Sequence, residues 1–469
     1  MKRRLYVSIW LFLLTVLSSS AQHTDPMFSG AAVKADLDYL YRTLQAAHYN
    51  LYAYVSKKQY NGAYTKIRTS IRKDSLSLLE TSMLFQKLAA VGNTGHSEID
   101  FPAPSYITFA RNGGTVFPLE VAFEDELAYV RKSYASHPAI KAGDQVLSIN
   151  KVPIGKIIGQ IHPYISAERP YYKNVKLEFW SFPRYCWAVF GEKKAFSVSV
   201  KGADGKVATH TIDAIPVMDS ESQRNGEIVK NDRFYKFYGD VAYLHPGSFS
   251  SAAADGEATF KAFVDSAFTD IKSKHAKQLV IDLRNNAGGH NAFSDYLIAY
   301  FADEPFRWYS KFSIKTSAAL KEQTRKQPSN SPLDAYSKAI LDHPDGEAFA
   351  YDLPIQHPMP EDKRFTGKVY VLVNRHTYSM AAVSAALIQD YGFGEIIGEE
   401  TGDVPTLYGS VFSFALPQTG IAVKVPKSYI VRPNGDEKLT GVIPDHKVRD
   451  HLLDEEDEIL SYTLKKLQQ

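Results

Sequence analysis

The sequence predicts a multidomain α/β protein with a helical N-terminal domain, a β-rich module and an α/β core. Three observations predict it. Apolar residues recur at helical spacing from Ala31 to about Ala90. Short strand-like runs separated by turns fill Ile107 to Val217. Beyond Phe234, β-branched runs twice pass directly into a turn and a helical segment, at Gln278–His290 and at Lys368–Gly392, the alternation of a parallel-leaning sheet.

The chain opens with Lys2-Arg-Arg4, the apolar run Leu5 to Leu17 and small residues through Ala21. That is the layout of a signal peptide over residues 1–21, with Ser19 and Ala21 placing a cut before Gln22. The run is too short to span a bilayer comfortably, and no cysteine follows the cut to take a lipid. The expectation is an exported protein, periplasmic or extracellular, with no stable membrane insertion. A helical domain follows over residues 28–105. Leu37, Leu40, Tyr41 and Leu44 share one face, Leu84, Leu88 and Val91 form another stripe, and Asp74 and Ser75 are cap candidates. It ends in the loop Val91 to Pro102, where Gly92 and Gly95 lead into His96. A histidine so placed is either an ordinary surface residue or a base.

Residues 107–217 form the β-rich module. Ala128-Tyr-Val-Arg-Lys reads as a strand, Gly143-Asp144 as a turn and Val146 to Ile149 as a short apolar strand. Phe196 to Ile212, broken by the turn Gly202–Gly205, reads as a closing hairpin. Cys186 is the only cysteine in 469 residues, so no internal disulfide forms. Its aromatic neighbours predict a buried, inert thiol. No Cys or His cluster has ligand spacing, so no metal and no other cofactor is expected. A formal charge of +2 gives no argument for nucleic acid as a partner. Met218 to Asp232 reads as a polar linker, and residues 233–452 as the core, with a strand at Val241 and a helix carrying Phe260, Phe263, Phe268 and Ile271. Thr324 to Arg364 reads as an insertion over the sheet edge, and residues 453–469 as an exposed charged helix. There is no internal repeat.

Ser379 lies where the apolar strand Val369 to Val373 has turned into the helix that Gly392 stops. As an N-cap it would sit in the positive end of the helix dipole. As a nucleophile it would stand on an exposed strand–turn–helix step, where backbone N–H groups bind an oxyanion. In the other stretch, Leu279 to Ile281 is a buried strand running into Gly288-Gly289, a pair that permits close backbone approach. Together these stretches resemble the S41 serine peptidases, the family of tail-specific processing and tricorn-type core proteases. Asp282, Arg284, Asn286, Gly288 and Gly289 match its Asp-x-Arg-x-Asn-x-Gly-Gly strand end. Thr377 and Ser379 match its Thr-x-Ser. Gly398, Glu399, Thr401 and Gly402 match Gly-Glu-x-Thr-Gly, and Gly441, Val442, Pro444 and Asp445 match Gly-Val-x-Pro-Asp.

The resemblance implies a crotonase/ClpP-like peptidase core, Ser379 as nucleophile, and the N–H groups of Gly288 and Met380 as oxyanion donors. The Gly143–Ile154 segment resembles the Gly-Asp-x-Ile-Leu-x-Ile-Asn-Gly stretch of PDZ domains, which these enzymes carry, with Gly113 to Pro118 the nearest candidate for a carboxylate-binding loop. One branch of the family pairs serine with a lysine some two dozen residues later. Here no lysine stands between Ser379 and Lys424. The tricorn-like branch uses histidine within Asp-Gly-His-Thr, matched at Gly95 and His96, while Thr94 and Ser97 depart from it. That makes His96 the implied base, with His376 and His290 as competitors. Glu437, shortly before Gly441, is the implied orienting acid, although at nearly rather than fully the family offset. The expected activity is serine endopeptidase with a polypeptide substrate, and uptake of that substrate by its C-terminus is left open. An apolar-ligand carrier or a PDZ-type interaction protein on the same architecture is the alternative.

Overall fold

Three serines start the N-terminal helices of the protein, seen in a computed structural model that describes residues 25–135, 138–224, 228, 231–251, 253, 255–326 and 334–468. The expected signal segment lies outside the described residues. Ser29 accepts from Ala32 N–H ahead of the helix Gly30–Ala47. Ser56 and Ser77 form capping boxes with Gln59 and Glu80 at the helices Lys57–Ser70 and Leu78–Ala90, so two orphan donors are satisfied at each start. The cap candidates Asp74 and Ser75 do not serve. Ser75–Ser77 is a strand that pairs with Met27–Ser29. Val33, Leu37, Leu40 and Leu44 are buried in the same cluster as Leu279, Val371 and Ala385. The N-terminal helices therefore share the core of the α/β part, and this holds the loop after Ala90 against it.

The middle module has its own cluster, including Phe117, Leu119, Val130, Ile149, Ile161, Phe182 and Val198. Its antiparallel sheet runs Val207–Asp213, Ala195–Lys201, Gln145–Ile149, Leu127–Ser133, Leu119–Glu124. The expectation of strands and turns throughout is corrected between Ile154 and Phe190, where the chain forms helices Ile154–Ile161, Pro170–Trp180 and Phe182–Phe190. Ile157, Ile158 and Ile161 line one buried face, and Pro170 stands in the first helical turn, where its missing N–H costs nothing. Val217–Arg224 is also helical, which shortens the expected linker. The candidate carboxylate loop has no free donors at its glycines. Gly113 and Gly114 N–H bond to Ala110 O and Phe109 O, and Thr115 N–H bonds to Glu192. Cys186 is buried in the helix Phe182–Phe190, and burial pushes its thiol well above the ordinary range. Iodoacetamide should leave it unmodified in the folded protein at neutral pH and label it once denatured, as intact-mass measurement would read.

The core carries a six-stranded sheet in the order Phe234–Tyr238, Val241–His245, Gln278–Asp282, Lys368–Val373, Glu395–Gly398, His446–Lys447, parallel from the second strand onward. Its central strands read as continuous apolar runs because both faces are covered. Leu279, Ile281, Val369 and Val371 face the helices Gly256–Ser273 and Met380–Tyr391, while Val280, Tyr370 and Leu372 face Ile459. The C-terminal helix Glu458–Leu467 is accordingly not simply exposed. Its Ile459 and Thr463 are buried, and Asp457 pairs with Arg284 at 2.5 Å. A second sheet contains Ala348–Ala350, Lys311–Lys315, Ala422–Val431 and Leu407–Ala415. Glu98–Ile99 joins it opposite Val423 and Lys424. This pairing delivers the end of the N-terminal region to the C-terminal edge of the parallel sheet, where α/β folds bind ligands.

Candidate active site

Neighbouring parallel strands Gln278–Asp282 and Lys368–Val373 end side by side, and their two turns are tied together. Thr377 donates its hydroxyl to Leu283 O at 2.9 Å, and Tyr378 N–H donates to Asn286 O at 3.0 Å. Asn374 closes the turn before Ser379 by accepting Thr377 N–H at 2.9 Å. Ser379 then adopts φ 52° and ψ −125°, a conformation that costs a non-glycine residue roughly 1–3 kcal/mol. Its side chain does not cap the helix Met380–Tyr391, which corrects the N-cap reading. The hydroxyl lies instead 3.2 Å from His96 Nε2. The backbone N–H of Ser379 donates to Asp403 Oδ2 at 2.8 Å.

His96 is held from several sides. Its ring stacks on Tyr378 with centroids 5.4 Å apart. Gly95 donates its N–H to Glu168 Oε1 at 2.6 Å, and Gly95 O accepts from Lys176 Nζ at 2.6 Å. Ser166 Oγ donates to Ser97 O at 2.5 Å. Thr94, standing where the resemblance has an acid, pairs its hydroxyl with His48 Nε2 at 2.9 Å. Burial lowers the pKa of His96 below the ordinary imidazole value. Burial also pushes Asp403 up to about 6, and it raises Glu168, with Asp403 adding to the effect.

The remaining expected residues divide. His376 is buried with Nε2 2.8 Å from Glu178 Oε2 and Nδ1 3.2 Å from Asn285 Oδ1, so its ring faces the middle module. His290 begins the helix Asn291–Ile298 and accepts from Ala292 N–H through Nδ1. Neither histidine is bonded to Ser379. Glu437 is exposed and accepts from Tyr429 OH at 2.7 Å. The expected bond from Glu437 to His96 is not made, because the turn after Gly435 directs this carboxylate to solvent and to Tyr429. Gly288, at φ +75°, lies so close to the serine that an added Cβ would sit 2.7 Å from Met380 N and 2.8 Å from Ser379 Cβ. Its N–H donates to Asn286 Oδ1 at 2.8 Å, so one of the two expected oxyanion donors is engaged within the chain. Met380 N–H opens the helix, where intrahelical acceptors are lacking.

Two buried carboxylates were not singled out by the sequence. Asp403 follows Ser379 by 24 residues, near the offset at which the other branch of the resemblance carries lysine, and that offset was a usable signal. It lies 3.9 Å from His96 Nε2. Glu168 comes from the middle module, and nothing in its sequence neighbourhood marks it. A hydroxyl beside an imidazole, helix-start N–H groups and buried carboxylates form an arrangement suited to acyl transfer.

Residues 240–448 match the model of peptidase family S41. Among solved structures, the chain is similar to mature CPAF, at 15% identity over 94% of this chain and 96% of that chain, with TM-score 0.64. It is also similar to mature CPAF complexed with lactacystin, at 14% identity over 94% and 98% of the two chains, with TM-score 0.62. At these identities the likeness shows a shared fold.

Proposed function

We propose that this chain, whose residues 240–448 match the model of peptidase family S41, is an exported serine endopeptidase that cleaves polypeptides through an acyl-enzyme on Ser379. The observation that carries the reading is the 3.2 Å approach of His96 Nε2 to Ser379 Oγ, between residues 283 positions apart in the chain. In the reaction, Ser379 Oγ attacks the scissile carbonyl carbon and its proton passes to His96 Nε2. The carbonyl oxygen becomes an oxyanion, received by Met380 N–H and by Gly288 N–H as the latter leaves Asn286. The C–N bond then breaks, and the departing amine takes the proton from His96. Water, deprotonated by the same imidazole, attacks the ester carbonyl; the C–Oγ bond breaks, Ser379 Oγ takes the proton back from His96, and the acid product leaves.

The lowered His96 pKa suits this role, since the neutral ring is the form that accepts a proton. The strained Ser379 backbone supports it too, because a residue held at φ 52° persists only where its surroundings impose it. Export rests on the N-terminal layout of charge, apolar run and small residues. Among the described residues no helix is long and apolar enough to cross a membrane. The engaged N–H groups of Gly113, Gly114 and Thr115 favour cleavage of internal segments over capture of a substrate C-terminus at that loop.

Purified mature protein treated with a fluorophosphonate probe should gain one covalent adduct, located at Ser379 by peptide mapping and lost in Ser379→Ala. Absence of an adduct from wild type, together with failure to cleave unfolded casein, would sink the reading.

A further inference from the structure

An imidazole that accepts a proton at Nε2 must carry its hydrogen on Nδ1, and that hydrogen needs an acceptor inside a closed site. His96 presents Nε2 to Ser379, and its buried Nδ1 has no hydrogen-bond partner among the described residues. Glu168 Oε2 is likewise buried without a partner. The two groups belong to one small region. Glu168 Oε1 takes the N–H of Gly95, the residue before the histidine, and Oε2 lies 2.9 Å from the position of a Cβ added to Gly95.

Each other acid near the ring is committed elsewhere. Asp403 accepts the N–H groups of Ser379 and Val404, and its approach is to Nε2 rather than Nδ1. Glu98 pairs with Lys176 at 2.6 Å, and Glu437 with Tyr429. Glu168 is also the strongest electrostatic influence favouring the charged form of His96, ahead of Glu98 and opposed by Lys176. Its segment is clamped on both sides, by Ser166 Oγ on Ser97 O and by Arg169 on Glu400 at 2.6 Å. A side chain so anchored has little freedom except rotation of its carboxylate.

We infer that Glu168 is the positioning carboxylate of His96, turning Oε2 onto Nδ1–H as the imidazolium forms. The inference rests on the peptidase reading above. In this role Glu168 fixes the tautomer that leaves Nε2 as acceptor, and its negative charge offsets the developing positive ring. The acid of the site then comes from the middle module, so that module completes the site.

The test compares Glu168→Gln, Glu437→Gln and wild type. Glutamine keeps an oxygen for Gly95 N–H, so the loop is retained while the charge is removed. Glu168→Gln should slow fluorophosphonate labelling of Ser379 by on the order of 10²-fold or more. The acid limb of its pH–rate profile should move to lower pH, because the ring loses the charge that most favours its protonated form. In ¹⁵N-histidine spectra, with His96 assigned by its loss in His96→Gln, the ring should titrate at lower pH in the variant. The charged groups facing His96 are Glu168, Asp403, Glu98 and Lys176, and only the first is changed. Unaltered His96 titration in Glu168→Gln overturns the inference while labelling of wild type preserves the peptidase. The same shift produced by Glu437→Gln alone also overturns it. A shift in Glu168→Gln without labelling of wild type supports the pairing and removes the peptidase.

Discussion

Replacing His96 by alanine is expected to lower the turnover number for peptide hydrolysis by about 10⁴-fold or more, with little change in KM. The reason is geometric. Ser379 Oγ has the imidazole at 3.2 Å, and the nearest carboxylate, Asp403, receives the serine's backbone N–H rather than its hydroxyl. With the ring gone, the hydroxyl proton has no acceptor. The pH dependence carries a sign. Burial holds the imidazolium of His96 below its ordinary value of 6.5, so the neutral, proton-accepting ring persists to lower pH than free histidine would. Hydrolysis by wild type should therefore remain above half its plateau at pH 6.5, and fall only as pH drops through the lowered value. The same shift acts on stability in the opposite sense to a paired histidine. The unfolded chain binds this proton first, so acidification below 6.5 favours unfolding. A profile of kcat against pH checks the first statement, and a full acid limb above pH 6.5 would contradict it.

Gly288→Ala carries the second large effect. A methyl group there would lie 2.6 Å from Tyr378 O and 2.7 Å from Met380 N, backbone atoms on either side of Ser379 that cannot rotate aside. The residue also sits at φ +75°, which disfavours any side chain. The methyl group must displace the turn that holds Ser379 and the N–H of Met380. Losing one oxyanion donor alone costs about 10²–10³-fold in kcat, so hydrolysis should fall at least that far. Gly420→Ala separates strain from contact. Gly420 has φ +69° with open space around it, and its alanine variant should lose some thermal stability while keeping its hydrolysis rate. Equal activity in both variants would refute the contact argument.

Much of the core was readable because its local signals agree. The run Val369 to Val373 is a strand from composition alone, and Gly392 at φ +74° ends the following helix as its position suggested. Elsewhere the sequence pattern misled for identifiable reasons. The helices between Ile154 and Phe190 are short and rich in aromatic and β-branched residues, whose preference for strands is overridden by burial against the sheet of the middle module. The C-terminal charge run hides Ile459 and Thr463, which are buried, with Leu460 and Leu467 packed against the same cluster as Ile459. Ser379 has the composition of an N-cap, and only the tie from Thr377 to Leu283 and from Tyr378 to Asn286 turns it out of that role.

The sequence by itself determined the core strands Leu279–Ile281 and Val369–Val373, the Gly288-Gly289 turn and the helix stop at Gly392, because strand runs, helix stops and glycine pairs are properties of neighbouring residues. The family resemblance added Ser379 and His96 as candidates, with His376 and His290 as competitors for the base. Tertiary structure decided what stands beside them. His96 and Ser379 are separated by 283 positions, Glu168 lies in a different module from either, and Glu437 turns away to Tyr429. Hydrogen bonds and desolvation act over a few ångströms of space, and a carboxylate's distance to an imidazole depends on how three parts of the chain pack. No local spacing encodes it.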